Sequence, residues 1–486
     1  MSSLLQRMDR LPMCRPHYLL LLIGGLGYTF DGLDSAIVAF LLPSLKAEWG
    51  LSNTQLGVIS AATPFGFLIG AVLSGILGDR IGRKRVMMYA LAVYTAFTLV
   101  AACSLNIEIF TAARVLAGVG MGAESVIIAP YLSEFVPADR RGWFLGCLAG
   151  FFSFGFVTAA LVGRFIVPEI PDGWRWAQVI VALPVVMLLW WRRALDESPR
   201  YLVGKKRYDE AEFVVAKFEA KVVKATGREL TPVPTTDIAA DIEVANHPKP
   251  GVSRAWRYMW SPAMRRRTMV IWAVWFAITF SYYGFFSWIP SLLVQRGFDI
   301  TRSFEFAIVI YLAQIPGYFS AAWLNEKMDR KNTIAIYLVG AAGSAFALSL
   351  GNNTASIVLS AAILSFFLNG TYAGVYSYTP EIFPTWMRTT GTGFASAFGR
   401  VGSISAPIVI GYFASSWGLA GVFTMTTIVL GIGVLSIVIF GVSTAGHSLE
   451  DLNEAELADG NSAGPATAGT HKEAARPVTD VPADLP

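Results

Sequence analysis

Gly75-Ile76-Leu77-Gly78-Asp79-Arg80-Ile81-Gly82-Arg83-Lys84-Arg85 is a cluster of charges and glycines set between two apolar runs of membrane-spanning length. Its glycines let helix ends approach a tight loop, its arginines mark the cytoplasmic side of a membrane, and Asp79 complements the positive end of a neighbouring helix. Taken alone, the stretch is also compatible with an ordinary positively charged connector. The pattern returns, however, in Ala322-Trp323-Leu324-Asn325-Glu326-Lys327-Met328-Asp329-Arg330-Lys331, which pairs Asp79 with Glu326, Arg80 with Lys327 and Arg83 with Arg330 at an offset of 247 residues. The same offset carries Tyr131, Glu134, Pro137 and Arg141 onto Tyr378, Glu381, Pro384 and Arg388. One register relating two motifs in each half is an internal duplication.

Composition places that duplication in lipid. With 54% hydrophobic and only 15% charged residues among 486, and a mean hydropathy of +0.52, the chain is too apolar for a soluble protein of its length. The net charge of +4 is spread over loops rather than gathered on one face, so nucleic acid is not implied as a partner. Cys14, Cys103 and Cys147 fit neither a disulfide framework nor a metal site and read as structural; no metal and no cofactor is expected.

Twelve apolar segments, each near the roughly 20 residues that cross a bilayer as a helix, divide the chain. Residues 1–17 form a cytoplasmic N-terminus without the features of a removable signal peptide. Residues 18–191 hold six spans, the sixth short, and residues 268–442 hold six more, giving an all-α integral membrane protein of two pseudo-symmetric six-helix halves. Residues 192–267 form a cytoplasmic linker, with a periodic patch around 208–223 that predicts one or two surface helices. Residues 443–486 are poor in large apolar side chains and read as a disordered cytoplasmic tail. Only Lys46, Arg164, Arg175, Arg296 and Arg302 fall on the opposite side, whereas the linker alone carries 16 Lys and Arg, so both termini are expected in the cytoplasm.

Twelve spans, a central loop and the duplicated GxLGDRxGRK-type loop resemble the major facilitator superfamily over almost the whole apolar chain. Arg114-Val-Leu-Ala-Gly-Val-Gly-Met-Gly, Tyr131-Leu-Ser-Glu134-Phe-Val-Pro137, Leu195-Asp-Glu-Ser-Pro-Arg200-Tyr and Tyr378-Thr-Pro-Glu381-Ile-Phe-Pro384 are similar to its sugar-porter-like clan. Asp31-Gly32-Leu33-Asp34 resembles the DGxD signature of aromatic-acid:proton symporters, and Gly122-Ala123-Glu124 with Phe280-Ser-Tyr-Tyr283-Gly-Phe-Phe-Ser-Trp288-Ile-Pro290 resembles niacin and related metabolite transporters. The resemblance implies a secondary transporter in the inner membrane. The fifth span lacks the Gly-Pro pattern of drug:proton antiporters, and the seventh lacks the paired glutamines of sugar porters. Ala322 and Asp329 stand where glycines are expected, which predicts looser packing of the second loop. The latch residues that the resemblance carries over are Gly75, Asp79, Arg80, Gly82, Arg83, Glu134, Arg141, Glu326, Arg330, Glu381 and Arg388.

Charged residues inside the spans cost on the order of 3 kcal/mol each and are functional candidates by default. Asp31 and Asp34 lie three apart in the first span, Arg114 and Glu124 in the fourth and Arg400 in the eleventh. Two arginines and three carboxylates predict two neutral pairs and one surplus acid suited to carry a proton. At about 1.5 Å per residue, Asp34 lies roughly 12 Å and Arg114 about 6 to 9 Å below the outer ends of their helices, so the two can meet. They also match the helix-one acid and helix-four arginine that gate protonation in proton-coupled relatives; the competing reading of Arg114 is a snorkelling end residue. Asp31 and Glu124 lie deeper and fit a relay, although Glu124 is equally consistent with a plain interhelical hydrogen bond. Arg400 has no acid nearby in sequence, so its partner is either a substrate carboxylate or a first-span aspartate. Among the aromatic residues of the seventh and tenth spans and the asparagine set with them, Tyr283, Trp288 and Asn369 are the candidates for the substrate pocket.

These residues predict a proton symporter for a small organic anion, an aromatic or heteroaromatic carboxylate of the benzoate or nicotinate kind, working as a monomer. A sugar, polyol or other metabolite porter is the alternative, and requires more hydrogen-bonding pocket residues than the sequence offers. A non-transporting receptor on the same fold predicts lost proton residues or a large signalling domain. No nucleophile with its base, metal site or Walker loop marks an enzyme.

Overall fold

Glycine decides how the helices of this protein meet. A Cβ on Gly66 or Gly70 of the second span falls on the carbonyls of Val115 and Val119 in the fourth, and Gly118 and Gly122 face Thr63 and Phe67 in return. Such small residues let backbones touch, which is how membrane helices gain packing where lipid supplies no hydrophobic drive. Gly32 and Gly155 join spans one and five in the same way, Gly317 sets span eight against Phe366 of span ten, and Gly402 sets span eleven against Phe276 of span seven. The pairs two–four and one–five of the first half thus recur as eight–ten and seven–eleven in the second.

The computed structural model describes residues 7–137, 139–228, 230, 252–384 and 387–443. Twelve helices among them are long and apolar enough to span a membrane: Arg15–Trp49, Asn53–Gly75, Arg83–Ala102, Ile107–Ser133, Arg141–Ile166, Gly173–Ala194, Arg265–Gln295, Ile300–Lys327, Arg330–Ser349, Thr354–Glu381, Thr390–Ala414 and Ala420–Phe440. The expected tail and most of 229–251 lie outside the described residues.

Local chemistry explains the interruptions. Span six breaks between Val181 and Val185 beside Pro184, and span eight breaks at Ala313, just where the ring of Pro316 crowds the carbonyl four residues earlier. Spans eleven and twelve turn at Gly418, whose φ of 60° is open to glycine. Ser52, Asn106 and Asn353 cap spans two, four and ten by accepting backbone N–H bonds.

An even number of spans puts the entry to span one, the exit from span twelve and the linker on one side, here termed the linker face. The linker forms a short helix Pro199–Gly204, the longer Tyr208–Thr226, which contains the expected patch, and Val252–Met259. Tyr208–Thr226 buries Ala211, Val214, Val215, Phe218 and Val222, and the N-terminal arm is clamped to it: Arg7 Nε and Arg10 donate to Glu219 Oε1 at 3.0 and 2.8 Å. Burial pushes the Glu219 carboxyl up, but the hydrogen bonds and charges of Arg7 and Arg10 outweigh it and hold the group below its ordinary value. A carboxyl lowered in the folded state stabilises above its unfolded pKa, about 4.3, and loses that contribution as pH falls through the lowered folded value. The arm is therefore expected to stay docked at neutral pH and to be released in acid, with Glu219→Gln releasing it at neutral pH; limited proteolysis at Arg7 and Arg10 reads this, and equal cleavage of the variant and the native chain at pH 7 refutes it.

Candidate functional site

Span one and span four bring the intramembrane charges of the first half together. Arg114 donates from Nη1 to Asp34 Oδ1 at 2.7 Å and from Nη2 to Oδ2 at 2.8 Å, a bidentate pair with both side chains 0% exposed. Nη1 also reaches Gln178 Oε1 at 3.5 Å, and Nη2 reaches the Asp34 carbonyl at 3.3 Å. The planar fork of arginine suits this geometry. Close by, the Ser125 hydroxyl donates to Asp31 Oδ2. Glu124 is buried, with Oε2 lacking any hydrogen-bond partner. It packs against Gly27, one turn before Asp31 on span one, where a Cβ would stand 2.8 Å from Oε1. Among the described residues Glu124 makes no interhelical hydrogen bond of the kind expected as its structural alternative.

The expected charge pairing is corrected here. Only Asp34 and Arg114 neutralise each other; Arg400 sits in the other half and reaches neither first-span aspartate, so both Asp31 and Glu124 lack a cation within ion-pair distance among the described residues. Ser125 and Gln178 were not singled out from the sequence, because one serine or glutamine in an apolar helix carries no distinguishing pattern.

Between the halves lies a cavity of about 630 Å³. Phe67, Trp275, Tyr282, Tyr283, Tyr372 and Tyr376 give it aromatic walls, and Ser125, Ser153, Thr279, Asn369 and Arg400 supply its polar points. Arg400 lies with its guanidinium carbon 4.0 Å from the centre of the Phe67 ring, and Nη1 donates to Tyr283 Oη at 3.3 Å. No carboxylate of the described residues comes within 4.0 Å of it, so its charge faces the cavity with only aromatic and phenolic neighbours. Asn369 donates to the Gln314 carbonyl at 2.9 Å and to Ser153 Oγ of the opposite half at 3.3 Å. Trp288 is the exception among the pocket candidates. It is 0% exposed, its indole N–H donates to the Pro407 carbonyl at 3.2 Å, and it does not line the cavity.

The cavity reaches the linker face, where the exposed Gly142, Gly146, Tyr376 and Ser377 belong to its wall. At the opposite, far face the halves are in contact. A Cβ on Gly57 would stand 2.5 Å from the Pro407 carbonyl, the ring of Phe40 lies 5.0 and 5.6 Å from those of Phe304 and Tyr311, and Arg164 Nε pairs with Glu305 at 3.1 Å.

Of the latch residues, those related by the duplication pair alike. Arg83 contacts Glu134, and Arg330 pairs with Glu381 at 3.0 Å. Tyr131 donates to the Asp196 carbonyl just after span six, and Tyr378 to the Val442 carbonyl just after span twelve, at 2.5 and 2.7 Å. Arg141 holds the Ser133 and Val136 carbonyls and Asp9, and Arg388 is likewise engaged. All these contacts of Arg83, Glu134, Arg330 and Glu381 stay within one half. Among the described residues Arg80 contributes its carbonyl, to Tyr201 Oη at 3.2 Å, and no side-chain contact, and Glu326 is exposed without an ion pair, so neither joins the network. The Asp79 side chain lies outside the described residues. At the two positions where the second loop lacks glycine, a Cβ at Gly75 of the first loop would meet nothing, whereas one at Gly82, whose φ is 102°, would fall on Glu197 Oε2; the matching Asp329 caps span nine. Glu134→Gln is expected to slow maximal transport several-fold with substrate affinity little changed, since it weakens a contact remote from the cavity; an unchanged maximal rate at equal expression refutes a latch role.

The sequence matches the family model described as sugar (and other) transporter over residues 23–455. It is 38% identical over 451 residues to the niacin transporter NiaP of Acinetobacter baylyi, covering 93% of this chain and 99% of that protein. It is 33% identical to the putative niacin/nicotinamide transporter NiaP of Bacillus subtilis, over 89% and 97% of the two chains, and 27% identical to the 4-hydroxybenzoate transporter PcaK of Acinetobacter baylyi, over 90% and 93%. Among solved structures, the inward-open xylose transporter XylE from E. coli superposes with a TM-score of 0.69 at 19% identity, over 90% of this chain and 99% of that one.

Proposed function

Since the chain belongs to the sugar (and other) transporter family of the major facilitator superfamily, we propose that this multi-pass membrane protein imports an aromatic or heteroaromatic carboxylate, nicotinate foremost, in symport with protons. The observation that carries the reading is Arg400: a cation in a cavity walled by aromatic rings, with no carboxylate of the described residues within 4.0 Å of it. A planar acid supplies both what the guanidinium lacks and what the rings can stack on. The similarity to a niacin transporter and to a 4-hydroxybenzoate transporter supports the same substrate class.

In this reading the linker face is cytoplasmic, because the basic residues concentrate there. The two halves rock about the cavity, so that the far-face contacts of Gly57, Phe40 and Arg164 part when the site opens outward and the Arg83 and Arg330 networks rearrange. The buried carboxylates of spans one and four carry the proton: Asp34 exchanges its bond to Arg114 for a proton, and Asp31 connects through Ser125 to the cavity wall. The proton gradient is the energy source, no cofactor takes part, and the monomer is the working unit.

Proteoliposomes containing the purified protein, given labelled nicotinate and an inward proton gradient, test this directly. Accumulation above equilibrium, collapsed by a protonophore and competed by unlabelled nicotinate, is expected. If only 4-hydroxybenzoate accumulates, the acid reading holds with a benzoate-type substrate; if neither acid accumulates while a neutral sugar does, the reading fails.

A further inference from the structure

We propose that a second cleft, at the linker-face edge of the membrane, binds the phosphate headgroup of an anionic phospholipid. It encloses about 610 Å³ between the start of span three, the end of span six, the short helix Pro199–Gly204 and the start of Tyr208–Thr226. Its charges sort into two groups. Asp196 is taken by Lys217 at 2.7 Å, Glu210 by Arg207 at 2.6 Å, and Glu197 accepts the backbone N–H groups of Lys84 and Ser198. Arg85 and Arg192 are exposed and make no ion pair among the described residues, and Lys84 spends one of its three N–H bonds on the Arg192 carbonyl at 3.1 Å. Three cations therefore line one concavity in which Asp196 and Glu210 are ion-paired and Glu197 is hydrogen-bonded to backbone.

Position selects a lipid over a soluble anion. Met88 and Tyr89, which also line the cleft, lie between one and two turns inside span three, and Tyr89 is 62% exposed on the face of that helix opposite its buried Met87, Ala90 and Tyr94. Trp190, about one turn before the linker-face end of span six, is exposed as well. An acyl chain can run past these rings while its phosphate meets the cations, and basic pockets between membrane helices recognise anionic headgroups in this way. The cleft adjoins Glu197 and Tyr201, which hold the loop at Lys84 and Arg80, so an occupant braces the segment between spans two and three.

The test uses the purified full-length protein in neutral detergent, followed by its tryptophan fluorescence on heating. Phosphatidylglycerol is expected to raise the midpoint by about 3 °C or more over phosphatidylcholine, as a ligand of the folded state does. Arg85→Gln/Arg192→Gln is expected to lose more than half of that increment, whereas Arg257→Gln/Arg265→Gln, which removes two exposed cations elsewhere on the linker face, keeps it. Should the double variant not fold, Arg192→Gln alone is expected to lose part of the increment. Equal stabilisation by the two lipids, an increment unchanged in Arg192→Gln, or equal losses in both double variants overturns the site. Millimolar inorganic phosphate matching phosphatidylglycerol overturns the lipid assignment.

Discussion

Arg400→Gln is expected to weaken binding of nicotinate ten- to hundredfold while leaving binding of nicotinamide nearly unchanged. A charge-assisted hydrogen bond contributes about 1.5 to 3 kcal/mol, and each 1.4 kcal/mol is a factor of ten in affinity. The guanidinium is held in place by the Phe67 ring and the Tyr283 hydroxyl, neither of which neutralises it. The acid alone supplies a negative partner, so the two ligands separate a binding role from a packing role. Arg400→Lys keeps the charge but loses the planar fork, and is expected to fall between the native protein and the glutamine variant. Titration calorimetry on the purified variants decides the matter. Equal losses for acid and amide mean that Arg400 shapes the cavity without reading the carboxylate, and the organic-anion proposal then loses its main support.

Asp34→Asn is expected to abolish accumulation of substrate against its gradient while counterflow across equal pH remains measurable. The reasoning starts from the bidentate pair: two side chains with no exposure, bonded at 2.7 and 2.8 Å. Removing one charge of a buried pair strands the other, at a cost of about 3 to 5 kcal/mol. A second effect, loss of stability, is therefore expected alongside the loss of coupling. The double variant Asp34→Asn/Arg114→Gln separates them: with no charge left to strand, its thermal stability should recover, but proton-driven accumulation should not. If Asp34→Asn vesicles still concentrate substrate under a pH gradient alone, Asp34 is not the coupling acid. Asp31 and Glu124, which have no cation within ion-pair distance among the described residues, are then the groups to exchange next.

The latch shows how far a duplicated sequence can be read. The offset of 247 residues places Arg83 with Arg330 and Glu134 with Glu381, and the structure closes the same arginine–glutamate contact in each half. The same offset placed Glu326 opposite Asp79, yet Glu326 stands exposed, because alignment fixes position along a helix but not the partner that comes to it. Asp329, at the position of Gly82, takes a role that a glycine cannot, capping span nine through its side chain. Trp288 has the composition of a pocket residue, but its ring points to Pro407 rather than to the cavity.

Sequence by itself determined the twelve spans, the duplication, the linker helix at 208–223 and the identity of the intramembrane charges. Each of these depends on properties summed along the chain: hydropathy over a span, spacing within a repeat, and the cost of a charge in lipid. Depth and resemblance already point Asp34 to Arg114, 80 residues away, and the structure adds the bidentate geometry of that pair; tertiary structure alone decided that Asp31 turns to Ser125 and that Arg400 meets Tyr283 and Phe67 across the cavity instead of an aspartate. Successive side chains on a helix point about 100° apart, so the rotation of each helix selects its partners. That rotation is set by distant backbone contacts such as Gly66 on Val115 and Gly155 on Thr29, which no window of sequence around the charges contains.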